Sequence, residues 1–536
     1  MNLLDGPFFA PPLRNVASGV DYLGLRQANL VLMDEFLPGI NNVTRHIRPF
    51  SILSWAVSTF IQEAERAGMK KISRQQFRSF LEKLEVLYVW SHQNAGKEGG
   101  IPGATQHCPY SNTKSVPLTF KAWNRNVSLM DAVNYGPALK TDAGLGFVVQ
   151  VKPGIYSCTD RGKMLAETIN KVLSRSKNEY NLLKSLREER ATLKECKKLY
   201  HLWRIGTPTP DEARIFLKDY FSFDAVTNSS RYGERSAAIG LILFALSMAR
   251  TGLEERALAS LMLRRLPFKQ CSAGAAFVLE RKQALWRVLQ LRQLQRYAFE
   301  ALFYWVEQQV AFEGAHRSED LLAAAKPDIE GRFGRLTTKV NAVLDSIVRP
   351  SGTKRHFIEM KHNEYGSVLF ALWRELETAV REDIASIPAY ALHALFWCLR
   401  AAEELRSINH YSAYLKEGGR DRVSLDSWCT MVRERGTMPL GSLFYMILER
   451  LVINQHFRVA LRRNELDKPR LRLTFEEEGL VSIVPPEKIG IPPITRDRLA
   501  CALSLLTDTG HVRLIGGRYR LTARGKTAVK ALKAAQ

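Results

Sequence analysis

The residue types of a catalytic centre occur together at one place in this sequence: Pro327-Asp328 and, after a gap, Ile358-Glu359-x-Lys361. Two carboxylates and a lysine in that order suit a metal-dependent nuclease, in which the acids hold Mg²⁺ and the lysine helps position the attacking water. Such groups stand on adjacent strands. Here residues 329–348 read as an amphipathic helix and the segment from His356 leads into another, so the strands are missing. No phosphate-loop motif, HExxH, Gly-x-Ser-x-Gly or Asp-x-Asp metal pair occurs. His107 and Cys108 are neighbours in a Gly-rich loop, Ser91 to Ser111, with no matching ligand nearby, and His356 and His362 are wrongly spaced for one helix face. The expectation is no catalytic residue, no metal and no cofactor.

What the chain carries in quantity is positive charge: 77 Lys and Arg against 54 Asp and Glu, a net +23. A field of that sign favours an anionic polymer as partner. The longest apolar runs, Ala237 to Ala249 and Ala389 to Leu399, are too short to cross a bilayer, and the N-terminus does not read as a secretory signal, so nucleic acid ranks above membrane. Seven scattered cysteines without a CxxC suit a reducing cytoplasm. Between Arg256 and Arg296 nine Lys or Arg face one acid, Glu280. On an ideal helix Arg281, Arg292 and Arg296 fall within about 60° of one another, a row suited to phosphates rather than to base edges. A second basic run holds Arg458, Arg462, Arg463, Lys468, Arg470 and Arg472.

The most one-sided charge lies in Thr495 to Gln536, where nine Lys or Arg meet only Asp497 and Asp508. Thr495 reads as the cap of a helix to about Thr507, and Gly510 as its end. His511 to Ile515 alternates as a strand, Gly516-Gly517 is a two-residue turn, Arg518 to Leu521 returns, and Thr522 caps a closing helix. Helix, hairpin and helix in this order resemble the distal half of a winged-helix domain. Arg496, Arg498, Arg513, Arg518, Arg520, Arg524 and Lys526 are its candidate nucleic-acid contacts. Arg518 and Arg520 share one strand face and Tyr519 and Leu521 the other. The signature recurs: Gly154-x-Tyr156-x-x-Thr159-x-Arg161-Gly162-Lys163 matches Gly517-x-Tyr519-x-x-Thr522-x-Arg524-Gly525-Lys526. Upstream of the first copy, Leu129 to Thr141 reads as helix and Phe147 to Val151 as strand. Two winged-helix-like modules are expected.

Elsewhere the chain reads as helix. Met1 to Pro12 is an apolar arm with prolines. Ile72-Ser73-x-x-Gln76 is a capping box ahead of Phe77, Phe80, Leu81, Leu84 and Tyr88 at helical spacing. Tyr180 to Arg204 reads as one charged helix, and Thr209-Pro210-Asp211-Glu212 as a helix start. Ala276 to Val310 reads as a long helix, and Leu471 to Ile483 as a hairpin around Glu476 to Gly479.

Near the N-terminus, Leu37-Pro-Gly-Ile-Asn-Asn-Val-Thr-Arg-His-Ile-Arg48 precedes Pro49-Phe50 and a helix with Trp55. This run of about 25 residues resembles the opening of a family of bacterial helical proteins encoded in anti-phage defence gene clusters. That family tends to carry two aromatics where this chain has Pro49-Phe50. The resemblance implies a component working beside a helicase-like or other ATPase, and supplies no catalytic residue.

The expected fold class is mainly α: a helical body with two winged-helix-like modules. The expected domains are an N-terminal helical region 1–110, a winged-helix-like module 111–175, a central helical domain 176–470, and a hairpin, linker and C-terminal winged helix 471–536. The expected function is a cytoplasmic, non-catalytic, nucleic-acid-binding subunit of a bacterial defence or DNA-processing complex. Double-stranded DNA is its ligand, and an ATPase or nuclease of the same system its protein partner. One alternative is an interaction scaffold, because terminal winged helices around a helical middle resemble the plan of kleisin-type subunits, although kleisins tend to be acidic. The other is a nuclease using Asp328, Glu359 and Lys361.

Overall fold

Ser and Thr hydroxyls cap many of the helix starts: Ser73, Thr159, Thr192, Thr209, Ser230, Ser367, Ser424 and Thr522 each accept from a backbone N–H of the first turn. A computed structural model describes residues 21–463 and 471–534, apart from 96–114 and positions 126–127, 132–133, 188, 315, 348, 350–353 and 409. The Met1–Pro12 arm, His107, Cys108, Lys468 and Arg470 lie outside the described residues, as does the Arg463 side chain. Helix makes up 62% of the structure and strand 7%, so the fold is mainly α with short hairpins.

Helices α1 (Arg26–Phe36), α2 (Arg48–Arg66) and α3 (Arg74–Ala95) come first. Pro49 stands in the first turn of α2, where its missing N–H costs nothing. The capping box forms at α3: Gln76 N donates to Ser73 Oγ at 3.2 Å and Ser73 N to Gln76 Oε1 at 3.0 Å. The helix then continues to Ala95, into residues expected as loop. Next come β1 (Ser115–Pro117), α4 (Gly136–Leu139), β2 (Val148–Lys152), β3 (Ile155–Cys158), α5 (Asp160–Leu173), α6 (Lys177–Lys184), β4 (Arg190–Thr192) and α7 (Leu193–Trp203). The single charged helix expected over 180–204 is therefore broken. Residues 190–192 pair antiparallel with 115–117, and a Thr192–Glu195 capping box restarts the helix.

Helix α8 (Pro210–Tyr220) starts as read, with Thr209 and Glu212 capping each other's backbone N–H. It is followed by α9 (Arg231–Ser247), α10 (Glu255–Leu263) and the 40-residue α11 (Ala273–Phe312). Residues 329–348 do not form one helix, because Gly334 at φ +82° ends α12 (Ser318–Phe333) before α13 (Val340–Ser346) begins. Then follow α14 (Val368–Glu382), α15 (Ile387–Arg406), α16 (Ser412–Leu415), α17 (Leu425–Arg433) and α18 (Leu440–Met446). A π-helical stretch over Ile447–Ile453 leads into α19 (Asn454–Arg463). The hairpin β5 (Leu473–Glu476) and β6 (Gly479–Ser482) turns at the acidic stretch as expected. Helix α20 (Leu499–Asp508), strands β7 (Val512–Ile515) and β8 (Arg518–Leu521), and α21 (Ala523–Ala534) close the chain.

Spatial proximity divides the protein into two units, neither continuous in sequence. One holds Met1–Leu32, Ser260–Arg265 and Gln283–Thr495; the other holds Met33–Ala259, Leu266–Lys282 and Arg496–Gln536. The stretch 176–470 read as one central domain is thus shared between both units, and the two hairpin modules fall in the same unit. In the first unit α15 packs among α12, α14 and α17, and Trp428 Nε1 donates to Leu395 O at 3.0 Å. With its leading turn, α15 is long and apolar enough by composition to cross a bilayer, but two thirds of that window is buried among its neighbours.

The second unit contains the repeat, and the two copies share the same turn and capping hydrogen bonds. Gly154 and Gly517 both turn their hairpins at φ +75°, a conformation that costs glycine little. Thr159 Oγ1 donates to Gly146 O and accepts from Gly162 N; Thr522 Oγ1 donates to Gly510 O and accepts from Gly525 N. Each threonine's own N–H donates to the residue after that glycine, Phe147 O or His511 O, at 3.0 and 3.1 Å. A Cβ on Gly162 or Gly525 would overlap the same two carbonyl oxygens. The hairpins differ by one residue, a register shift between Gln150 and Lys152 in the first copy.

The leading helices depart from expectation. In the first copy, among the described residues of 129–141, only Gly136–Leu139 is helical. In the second, α20 begins at Leu499 and Thr495 does not cap it; the Thr495 hydroxyl is bound by Arg296 instead.

Helix α8 reaches both modules. Phe216 stacks on Phe147 at 6.0 Å, while Phe221, just past its end, meets His511 edge-on at 6.0 Å. The loop over 41–47 also touches both: Tyr135 Oη accepts from the N–H groups of Arg45 and His46, and Asp508 accepts from Ile47 N at 2.9 Å and from His46 Nδ1.

Candidate nucleic-acid interface

Antiparallel pairing decides which side chains of β7 and β8 share a face. Arg513 lies opposite Arg520 and Ile515 opposite Arg518, so Arg513, Arg518 and Arg520 stand on one side of the ribbon. Val512, Leu514, Tyr519 and Leu521 take the other side, as expected for Tyr519 and Leu521. Like charges directly opposite across a ribbon destabilise it unless an anion lies between them. No acid occurs in 511–534. Two carboxylates lie nearby: Glu255, which acts on Tyr519 and Arg496, and Glu254, 3.7 Å from Arg518 Nε with both side chains well exposed, a pair worth little in water. The ribbon's outer edge is partly occupied: Leu253 and Tyr519 exchange both backbone hydrogen bonds, at 2.8 and 3.0 Å. This bridge brings Gly252 against the Arg520 stem, so Arg520 is half-buried while Arg513 and Arg518 are exposed.

Helix α21 extends the same charge. Arg524, Lys526, Lys530 and Lys533 are all exposed, and Leu532 on its inner side packs with Val226 and Ala237. Arg524 Nη1 donates to Thr509 O at 2.9 Å, which fixes its stem beside the hairpin base. Arg496 is exposed ahead of α20. Helix α20 itself is apolar and buried along most of its length, with Leu499, Leu503, Leu505 and Leu506 fully covered. Its partly exposed side chains are Ala500, Ser504, Thr507 and Asp508, none of them cationic.

Four of the expected contacts are placed elsewhere. Arg498 is buried and spent on Asp34 and on Leu37 O. Arg281 pairs with Glu234, which Lys282 also reaches at 2.7 Å. Arg292 is 1% exposed and donates to Gln295 and to the carbonyls of Arg422 and Val423. Arg296 is equally buried and donates to Thr495 Oγ1 and Pro493 O. The expected row on α11 does share a side of the helix, but Arg292 and Arg296 use it to close off loop carbonyls inside the protein. Burial lowers the pKa of Arg292 to about 9. In the second basic run Arg458 pairs with Asp421 at 3.0 Å and Arg472 with Glu307.

The nuclease grouping does not assemble on strands either. Asp328 is on α12, and Glu359 is in a 3₁₀ turn where Arg287 Nη2 binds its carboxylate at 2.8 Å. Among the described residues no group of three or more His, Cys, Asp or Glu is placed to hold a metal. Sequence reasoning missed Lys530 and Lys533 as part of the basic face, although their spacing along the closing helix was available. Compared with family models, curated proteins and solved structures, the chain matches none.

Proposed function

We propose that this chain is a non-catalytic subunit that binds double-stranded DNA by its backbone, through the β7–β8 hairpin and α21, within a bacterial defence or DNA-processing complex. The observation that carries the reading is the face shared by Arg513, Arg518 and Arg520, with two arginines directly opposed and no acid in residues 511–534 to neutralise them. Phosphates supply the missing anions, and each neutralised phosphate releases counterions. The helix before the hairpin is mostly buried and carries no cation, so contacts fall on the backbone and position the protein without reading sequence. Single-strand binders lay bases on exposed rings; the one ring on this hairpin, Tyr519, is half-buried on the face away from the arginines. Duplex is therefore favoured over single strand.

The test is a salt titration of duplex binding by the whole chain. Replacing Arg513, Arg518 and Arg520 together by Ala should make the slope of log affinity against log salt shallower by roughly 2 to 3, at about 0.9 per contact. The loss should be the same for unrelated duplex sequences. An unchanged slope sinks the proposal. A second reading, a wing that docks on a protein partner, is favoured by Leu514 and Ile515, which are 52% and 42% exposed near the turn. Loss of a co-purifying protein in Leu514→Ser/Ile515→Ser, with DNA binding intact, would decide for it.

A further inference from the structure

The arginines of the C-terminal hairpin account for its charge and leave its tip unexplained. Gly516 and Gly517 turn the chain at φ +54° and +75°, and among the described residues nothing comes within 4 Å of where a Cβ on either would sit. The end of the ribbon therefore stands clear and carries no side chain at its apex. Directly behind the apex are two exposed apolar residues, Leu514 and Ile515. Ile515 lies opposite Arg518, on the face that Arg513 and Arg520 also occupy; Leu514 lies opposite Tyr519 on the other face.

A single exposed apolar side chain is ordinary. This pair is not, because the scaffold does not call for it. In the first module the partner of Ile155, which corresponds to Arg518, is Lys152, and the partner of Tyr156, which corresponds to Tyr519, is Gln150. The first turn is also covered, since the Arg74 stem lies against Gly154. Burial alone would put the apolar pair at the covered tip. The reverse is found: the covered tip is polar, and the open tip is apolar among arginines. An apolar point ringed by cations matches a ligand that is anionic outside and apolar within, which is the layering of phosphates over stacked bases in a duplex.

We propose that the hairpin enters the minor groove tip first and that Ile515 wedges into one base step, partly unstacking it and bending the duplex. This rests on the duplex binding proposed above. Paired strands lie about 4.8 Å apart and the minor groove is about 6 Å wide, so an apex without side chains can enter end-on. Arg518 beside the wedge, and Arg513 and Arg520 behind it, then meet phosphates on the groove's rims. Inserted Ile and Leu side chains kink DNA toward the major groove by about 20–90°. The kink costs least at pyrimidine–purine steps and most in A-tracts. The favoured ligand is thus a duplex with a flexible step, selected by deformability and not by contacts to base edges.

The experiment measures energy transfer between dyes at the two ends of duplexes of about 25 bp, together with their affinity for the full chain. One duplex carries a central TA step and the other a central A-tract. The TA duplex should bend by at least about 20° on binding, and bind at least about fivefold more tightly than the A-tract duplex. Ile515→Ala should abolish the bend and the preference while the salt slope changes by less than about 0.9, one phosphate contact. Ile515→Leu, which keeps an apolar wedge, should retain both. Ile515 is exposed, so neither variant should shift the melting temperature. A bound TA duplex that stays straight, equal affinity for the two duplexes, or a bend that survives Ile515→Ala would each overturn the wedge and leave duplex binding standing. No duplex binding by the unaltered chain would overturn both. A surviving bend together with loss of a co-purifying protein in Ile515→Ala would assign the tip to a protein partner instead.

Discussion

The two hairpin modules share one scaffold and differ in what they present. Arg513, Arg518 and Arg520 of the C-terminal ribbon correspond in register to Val149, Ile155 and Ser157 of the first. Ile155 is buried where Arg518 is exposed. The first module's closing helix α5 carries Asp160 and Glu167 among its lysines, and its Arg161 is held by Asp219 at 2.5 Å. The C-terminal α21 carries no acid, and Arg524 contacts only a carbonyl among the hydrogen bonds it makes. Glycine turn, threonine cap and covered glycine are scaffold requirements and are kept in both copies. Charge is not required by the scaffold, and it is concentrated in one copy.

The comparison breaks most visibly at the covered glycines. Gly162→Ala and Gly525→Ala each force a methyl into a carbonyl oxygen, and each should destabilise by about 2 to 3 kcal/mol, the upper range for overpacking. Urea midpoints of the two variants should fall by similar amounts. A large loss at one site and none at the other would end the equivalence.

The next effect separates the copies. His511 stands where the first copy has Phe147, and burial, with Arg524 nearby, pushes its pKa down to about 4. An unfolded histidine near 6.5 takes a proton that the folded one refuses. Stability from this group is therefore full above pH 6.5 and lost as pH falls towards 4. His511→Phe should reduce the acid-side loss by about 2 kcal/mol between pH 7 and 4, read as melting temperature against pH. No flattening of that profile would show that the buried imidazole is not the acid-sensitive group.

The caps come third. Thr159→Ala and Thr522→Ala remove the same hydroxyl with the same three partners, and each should cost about 1 kcal/mol in denaturation. The smallest expected effect is on binding. Lys152→Ala with Lys163→Ala in the first module should leave duplex affinity within about twofold and the salt slope unchanged, since slope is lost only where a phosphate contact is lost. A slope change equal to that of the triple arginine variant would place the first module on DNA as well.

Much of this scaffold was legible in local sequence. The capping boxes at Ser73 and Thr209 and the Gly-x-Tyr-x-x-Thr-x-Arg-Gly-Lys repeat depend on backbone bonds within a few residues, so spacing alone reveals them. The candidate site was legible in part. The arginines of β8 alternate, and alternation fixes a strand face. Arg292, Arg296 and Arg498 could not be read correctly, because what buries them is a set of carbonyls and a carboxylate more than 100 residues away in sequence. A helical wheel shows which side an arginine takes and is silent on whether that side meets water. The break at β4 was hidden for the same reason, as its pairing partner lies some seventy residues upstream.

The loop over 41–47, α8 and the C-terminal module belong to one unit although the ribosome makes them far apart in time. At about 5–20 residues per second, the roughly 290 residues between Phe221 and His511 take about 15 to 60 s to synthesise. Throughout that interval Phe221 and the Ile47 amide lack the edge and the carboxylate that satisfy them in the finished fold. In that interval these contacts between residues 41–47, α8 and the C-terminal module are unmade, so removing the module uncovers side chains far upstream of it.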